Sequence, residues 1–338
     1  MNLNGSWKIP CPSLKAFLLA LLVFLGPLSF WEGTLRYSGF RFDPYKHYKR
    51  FGANFESDEI RYYNQDSELF WRLRPAQAVR DWWVPEARIN SKGFRGPEFD
   101  WEKGPGVFRV VCLGDSGTFG WGIRDHETYP ARLQELLQKE MRSREVEVIN
   151  MGVPGYSSHQ GLILLKRHIT RMSPDVIIFS FGRNDHNDTV YLTDRERRSY
   201  PDFLVHLHNA LLPFRFYQWV YKWRALSMYQ VNAQGFVVDG QQQKVRVPLK
   251  DYEDNLRTVA QLAGGAGARL VFVPRSQWPE YDEVMRRVAS EERAGYVDLG
   301  SARQNAGLQA FMRGEHPGPG VYSHLALEIV RRIQSHGS

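Results

Sequence analysis

Five short apolar runs, each followed by a stretch of helical periodicity, dominate the chain from Val107 onward. Continuous apolar runs of this kind are typical of strands buried on both faces, and their alternation with helices is typical of a parallel sheet. The pattern predicts an α/β fold with a mostly parallel five-stranded sheet between two helical layers. The runs are VFRVVCLG at 107–114, VEVIN at 146–150, DVIIFSFG at 175–182, ARLVFVP at 268–274 and YVDLG at 296–300.

Two other regions flank or interrupt this pattern. Residues 32–105 are rich in aromatic and charged residues and lack sustained periodicity, which predicts an irregular lead-in that packs on a main domain at 106–338. Residues 186–248 form an insertion between the third and fourth predicted strands, with the aromatic segment LLPFRFYQWVYKWRALSMY. Ligands bind at strand ends in open α/β sheets, so the insertion suits a lid or a substrate groove. A helix pair packed only for stability fits the same sequence.

The first 31 residues contain an uncharged hydrophobic segment from Ala16 to Trp31. A membrane span needs about 20 residues, so this segment is a short anchor or a signal peptide. The bulky residues after Pro27 do not make a small-x-small cleavage site, which favours an uncleaved anchor over a cleaved signal. A buried helix of a cytosolic protein is disfavoured because the segment shows no polar face. We expect an extracytoplasmic main domain, periplasmic or at the cell surface, or secreted if the segment is cleaved. The basic residues 36–50 after the segment argue against that orientation.

The balance of charge narrows the possible partners. The 338 residues carry a formal net charge of +7, but the basic residues are scattered rather than aligned in a stripe, so we expect no nucleic-acid partner. A basic surface suits anionic lipid or an acidic polysaccharide better. We expect no disulfide between Cys11 and Cys112, and no cysteine spacing resembles a metal site.

Candidate chemistry begins with Ser116, which follows the first predicted strand in the sequence GDSGTFGWG. A glycine-flanked turn at the end of a buried strand can expose a hydroxyl to substrate and aim backbone N–H groups at a developing oxyanion. Gly, Asp and Ser are also common in ordinary turns, so the tripeptide alone is a weak indication.

Three further blocks lie where other elements end or begin. Gly152 follows the second strand in NMGVPGYSS and could donate its N–H. Asn184 follows the third strand in GRND and is either a side-chain donor to an oxyanion or a cap for the next turn. His316 opens the loop HPGPG before the last predicted helix, a position that suits a general base toward Ser116.

These four blocks, in this order, closely resemble the SGNH or GDSL hydrolase family over about residues 105–335. The resemblance implies a flavodoxin-like three-layer α/β/α fold, with Ser116 as nucleophile and His316 as base. It also implies an oxyanion hole formed by the N–H groups of Ser116 and Gly152 and the side chain of Asn184. Members of the family mostly cleave esters of lipids, thioesters or acylated sugars without a metal or organic cofactor, and some are acyltransferases.

The chain departs from the family pattern at one position. The acid that orients the histidine usually lies three residues before it, where this chain has Arg313. An arginine cannot accept a hydrogen bond from the imidazole N–H. A backbone carbonyl could orient His316, Glu315 or Asp298 could replace the acid, or catalysis could be lost. The sequence therefore predicts an esterase acting on an acylated small molecule, lipid or polysaccharide, with a polysaccharide acyltransferase and an inactive binding protein as alternatives.

Overall fold

A sheet of five parallel strands lies at the centre of the structure, and helices cover both of its faces. The computed structural model describes residues 13–41, 62–81, 84–189, 193–197, 201–228, 244–275, 278–297, 316 and 318–335. The helices are α1 (Leu14–Tyr37), α2 (Ser116–Phe119), α3 (Tyr129–Glu140), α4 (Ser158–Met172), α5 (Asp202–Leu211), α6 (Arg215–Met228), α7 (Leu249–Gly265), α8 (Pro279–Glu291) and α9 (Pro319–Ser335). The strands are β1 (Tyr63–Asp66), β2 (Phe70–Leu73), β3 (Gln77–Asp81), β4 (Val84–Ile89), β5 (Phe108–Gly114), β6 (Val146–Gly152), β7 (Val176–Ser180), β8 (Asp188–Thr189), β9 (Lys244–Val245), β10 (Arg269–Phe272) and β11 (Gly295–Tyr296).

The central sheet has the order β6–β5–β7–β10–β11, and every neighbouring pair is parallel. Taken along the chain, this is the 2-1-3-4-5 order of flavodoxin-like folds. The predicted α/β class and five-stranded parallel sheet are confirmed. All seven residues of β5 are buried, as expected for the central strand of a sheet covered on both faces.

The side chains of β5 alternate between two separate cores. Val111 and Leu113 pack with residues of α4, α7 and α8 on one face of the sheet. Val110 and Cys112 pack with residues of α3 and α9 on the other face. This period of two is the geometry of a strand between two layers. The buried thiol of Cys112 is free, and burial raises its pKa.

Two helices of these layers begin at side-chain caps. At α3, Thr128 Oγ1 accepts a hydrogen bond from the N–H of Ala131. At α4, Ser157 and Gln160 form a reciprocal capping box. Such caps satisfy N–H groups that have no acceptor inside the helix, so the polar residues after β6 begin α4 at a defined place beside the sheet edge.

The segment predicted as irregular, residues 32–105, is ordered differently from that prediction. Residues 32–37 continue α1, and the described residues from 63 to 89 form two antiparallel strand pairs, β1–β2 and β3–β4. Residues 90–105 contain no helix or strand, as predicted. The prediction of irregular structure is wrong for β1–β4, because strands of four to six residues with interspersed charges give no sustained period. The segment does pack on the sheet domain, since Trp71 Nε1 donates to the carbonyl of Pro154 at 3.2 Å and Tyr156 Oη donates to the carbonyl of Trp71 at 2.6 Å.

The insertion consists, in its described part, of the α5–α6 pair and the two-stranded ribbon β8–β9. His208 Nδ1 and Tyr217 Oη lie 2.8 Å apart and join the two helices. At the base of the insertion, the fully buried guanidinium of Arg246 donates to Asp194 at 2.7 Å and to the carbonyl of Gly155 at 2.7 Å. The insertion is therefore fixed to the loop that follows β6.

The predicted hydrophobic anchor lies largely within α1, which contains Pro27. The helix packs on the insertion: the Trp31 and Trp219 ring centroids are 5.8 Å apart, and Glu32 Oε2 accepts from the N–H of Phe216 at 2.8 Å. Across the residues that the structure describes, no helix combines the length and the apolar character needed to cross a membrane.

Candidate active site

Ser116 lies at the carboxyl end of the central strand, where it is the first residue of α2. Asp115 caps this short helix by accepting a hydrogen bond from the N–H of Gly117 at 2.7 Å. Because Ser116 opens the helix, its own N–H has no acceptor within the helix and can be directed at a ligand. The chain thus presents a hydroxyl and a backbone donor together at the edge of the sheet where ligands bind in such folds.

His316 lies within hydrogen-bond distance of Ser116, although 200 residues separate them in the sequence. The distance between His316 Nε2 and Ser116 Oγ is 2.9 Å. The ring of Trp121 lies beside the imidazole, with centroids 6.3 Å apart. A hydroxyl bonded to an imidazole nitrogen is the arrangement in which the imidazole can remove the hydroxyl proton during nucleophilic attack.

Gly152 ends β6 and lies opposite Gly114 in the register of the two strands. A Cβ at position 152 would overlap the backbone nitrogen of Phe119, so only glycine allows β6 to come this close to α2. The N–H of Gly152 is already donated to Asn150 Oδ1 at 3.0 Å. An oxyanion at this donor would have to compete with the Asn150 side chain, because a backbone amide carries a single hydrogen.

Asn184 is buried in the turn after β7, next to the loop that follows β6. Its Nδ2 donates to the carbonyl of Tyr156 at 3.0 Å, and its Oδ1 accepts from Asn187 Nδ2 at 3.2 Å. The amide nitrogen carries two hydrogens, so one remains for a ligand after the bond to Tyr156. The hydrogen bonds to Tyr156 and Asn187 also fix the orientation of the Asn184 amide.

Asp185, next to Asn184, holds the same turn in place. Its two carboxylate oxygens accept from the N–H of Ser158 at 2.9 Å and from the N–H of Gly182 at 3.0 Å. Burial raises the pKa of Asp185 to about 6, and the hydrogen bonds oppose that rise. The carboxyl group of Asp185 therefore connects the first turn of α4 to the turn that contains Asn184.

The residues proposed to orient the imidazole, Asp298 and Glu315, lie outside the described part of the chain, as does Arg313. The choice between an acid, a backbone carbonyl and an inactive site remains a prediction from the sequence. Within the described residues, no group of three or more His, Cys, Asp and Glu side chains could hold a metal ion.

Arg275, which lies outside the four sequence blocks, packs against the serine turn. A Cβ at Gly117 would overlap the guanidinium, and Arg275 Nε lies 3.8 Å from Asp115 Oδ1. The Arg275 side chain is only 10% exposed, and Asp115 is fully buried. Its position after the strand β10, in VFVPR, was the available signal, because that strand end meets the same edge of the sheet as Ser116.

A second arginine outside the predicted site, Arg95, supports the segment after α2. Its guanidinium donates to the carbonyls of Phe119, Gly120 and Ile123 at 3.0, 2.6 and 2.7 Å. Arg95 Nε also bonds Asp125 at 2.7 Å. These bonds hold the backbone next to Trp121. Arg95 itself belongs to the segment 32–105, which was predicted to be irregular.

Comparison with known proteins adds an independent observation. The model of the GDSL-like Lipase/Acylhydrolase family matches residues 112–323. Among solved structures, the chain is similar to TesA at 18% identity, with 67% of this chain and 98% of that chain covered and a TM-score of 0.43. It is also similar to a variant of an acetyl xylan esterase from Geobacillus stearothermophilus at 17% identity, covering 69% and 97% of the two chains with a TM-score of 0.43. A lipase/acylhydrolase from Enterococcus faecalis matches at 17% identity, 68% and 96% coverage and a TM-score of 0.41. No curated protein matches the chain.

The family match covers more than half of the chain and includes Ser116, Gly152, Asn184 and His316. The chain belongs to the GDSL-like lipase/acylhydrolase family, and it is a hydrolase that acts on ester bonds. The resemblance predicted from the four sequence blocks is thereby confirmed.

The contact between Arg275 and Asp115 leads to a prediction about the serine turn. We expect Arg275→Met to lower the free energy of unfolding by about 3 kcal/mol, because the buried Asp115 carboxylate loses its neighbouring positive charge. Urea-induced unfolding at neutral pH measures the change. Adding Asp115→Asn should recover much of the loss, since Asn keeps an acceptor for the N–H of Gly117 and carries no charge.

The matched control is Arg195→Met, which removes an exposed ion pair with Asp251 and should change stability little. If the double variant is as unstable as Arg275→Met alone, Arg275 does not act by neutralising Asp115.

Proposed function

We propose that the protein hydrolyses ester-linked acyl groups, with Ser116 as nucleophile and His316 as general base. The observation that carries the proposal is the 2.9 Å contact between Ser116 Oγ and His316 Nε2 at the carboxyl edge of the sheet. Family membership supports the same chemistry, because the matched family is one of lipases and acylhydrolases.

The reaction would proceed in two acyl-transfer steps. His316 Nε2 takes the Ser116 proton while Oγ attacks the ester carbonyl carbon, and the imidazolium then protonates the leaving alcohol as the carbon–oxygen bond breaks. Water, deprotonated by the neutral imidazole, next attacks the acyl-serine. The second tetrahedral intermediate collapses to release the acid and returns the proton to Ser116 Oγ.

Two donors are available to the negative charge that forms on the carbonyl oxygen. One is the N–H of Ser116. The other is the second Nδ2 hydrogen of Asn184, since the first is donated to the carbonyl of Tyr156. The N–H of Gly152 would join them if the oxyanion displaced Asn150 Oδ1. A donor set that is already oriented stabilises the transition state without reorganisation during the reaction.

For the substrate, we propose an acylated lipid or saccharide, and for the location, an extracytoplasmic surface to which α1 attaches the enzyme. The formal net charge of +7 supports a partner with negative charge, and the uncharged segment from Ala16 to Trp31 supports attachment to lipid. We also propose that residues 106–338 form one domain that carries the insertion at 186–248, and that the segment before residue 106 packs on it. The expected limit at 31/32 falls inside α1, which ends at Tyr37.

Single substitutions test the proposed pair directly. We expect Ser116→Ala to lower kcat for p-nitrophenyl acetate at least about 10³-fold, because no acyl-enzyme can form. His316→Ala should lower kcat about 10²- to 10⁴-fold, since the serine proton has no acceptor. Ser143→Ala and His126→Ala, which change exposed residues, are the controls. Retention of wild-type kcat by a folded Ser116→Ala protein would exclude Ser116 as nucleophile.

The amide of Asn184 gives a separate prediction about the oxyanion. Asn184→Ala should lower kcat about 10²- to 10³-fold and change KM little, because the donor acts mainly on charge that develops in the transition state. Steady-state kinetics, with circular dichroism to verify folding, measures both constants, and Asn209→Ala on α5 is the matched control. A rise in KM with unchanged kcat would assign Asn184 to substrate binding instead.

A further inference from the structure

Most of the large hydrophobic side chains that are exposed in the described part of the chain lie on α1 and on the α5–α6 pair. On α6, Val220 and Trp223 are 43% and 61% exposed, and Phe30 at the end of the apolar part of α1 is 74% exposed. The other described examples, Leu249, Trp278 and Leu327, lie on different elements. Exposed apolar groups concentrated in this way mark an interaction surface.

The exposed groups of α1 and α6 form one surface because the two helices are joined. The rings of Trp31 and Trp219 are in edge contact, and Arg36 Nη2 donates to the carbonyl of Pro213 at 3.4 Å. Along α6, residues 216, 219, 220 and 223 follow the i, i+3, i+4, i+7 spacing that lies on one helix face. We call the set Trp31, Phe216, Trp219, Val220 and Trp223 the aromatic collar.

The exposed groups of α1 lie on more than one side of the helix. Val23 and Leu25 are both exposed, at 65% and 45%, and a separation of two residues is about 200° around a helix. A protein groove would cover one side of a helix, whereas lipid contacts every side. The exposure on opposite sides favours lipid as the occupant.

The apolar segment of α1 is long enough to enter the hydrocarbon core of a bilayer, although it is shorter than the core is thick. The segment from Ala16 to Trp31 is about 24 Å long as a helix, whereas the hydrocarbon core of a bilayer is about 30 Å thick. The collar lies at the carboxyl end of this segment, and Trp side chains prefer the interface between hydrocarbon and water. Arg36 in the last turn of α1 and Lys222 on α6 add positive charge to the two helices that carry the collar, and anionic lipid attracts such charge.

We infer that the aromatic collar lies in the headgroup region of a phospholipid bilayer. Helix α6 of the insertion and helix α1 then together hold the enzyme against the membrane. This inference rests on the proposed attachment through α1 and extends it to the insertion. It is independent of the chemistry at Ser116.

A fluorescent probe at position 223 tests the contact in the full-length protein. In a Cys11→Ser background, Trp223→Cys is labelled with an environment-sensitive nitrobenzoxadiazole dye, and the remaining thiol of Cys112 is buried. Leu327→Cys is the matched control, because Leu327 is 43% exposed on α9. The labelled proteins are mixed with phosphatidylcholine–phosphatidylglycerol vesicles, with and without spin-labelled lipid.

We expect the dye at position 223 to shift to shorter emission wavelength with vesicles and to be quenched by spin-labelled lipid, and the dye at position 327 to do neither. If the protein sediments with vesicles but both dyes stay unchanged, α1 binds lipid alone and the collar does not. If the protein does not bind vesicles, both the attachment and the collar are refuted. A shift at position 223 that needs no vesicles and grows with protein concentration would identify a second copy of the chain as the occupant. Hydrolysis of p-nitrophenyl acetate by the labelled proteins separates every one of these outcomes from a failure of the catalytic proposal.

Discussion

Close contact between the backbones of Gly152 and Phe119 controls how the candidate site is arranged. No side chain fits between β6 and α2 at this point, so the loop after β6 comes directly beside the serine turn. That loop carries the carbonyl of Tyr156, which orients the amide of Asn184. The position of the amide relative to Ser116 thus depends on a contact that only glycine permits.

Buried charge connects the rest of the molecule to this arrangement. Arg246, at the base of the insertion, bonds Asp194 and the carbonyl of Gly155, and Asp194 in turn accepts from Ser157 Oγ at 2.7 Å. Removing one partner from such a group would leave an unpaired buried charge, which is strongly destabilising. The base of the insertion is consequently held to the loop beside the site by buried charge.

The amino-acid sequence predicted the features that depend on local pattern. Apolar runs predicted the five sheet strands, and turn residues at strand ends predicted where Ser116 and Asn184 lie. Short charged hairpins were missed because β1–β4 are too brief to develop a period. The partnership of Gly152 with Asn150 lay within one quoted motif but depends on a side-chain rotamer, and the position of Arg275 depends on tertiary packing between distant strands. The first could not be read from spacing, and the sequence signal for Arg275 was only its place after a predicted strand.

We propose above all that Ser116 is a nucleophile activated by His316. The most direct test is to label the full-length protein with a fluorophosphonate and to map the adduct by peptide mass spectrometry, which needs no knowledge of the natural ester. We expect a stoichiometric adduct on Ser116 whose formation is slowed severely by His316→Ala. An adduct on another serine, an unchanged labelling rate in His316→Ala, or no adduct on the folded protein would contradict it.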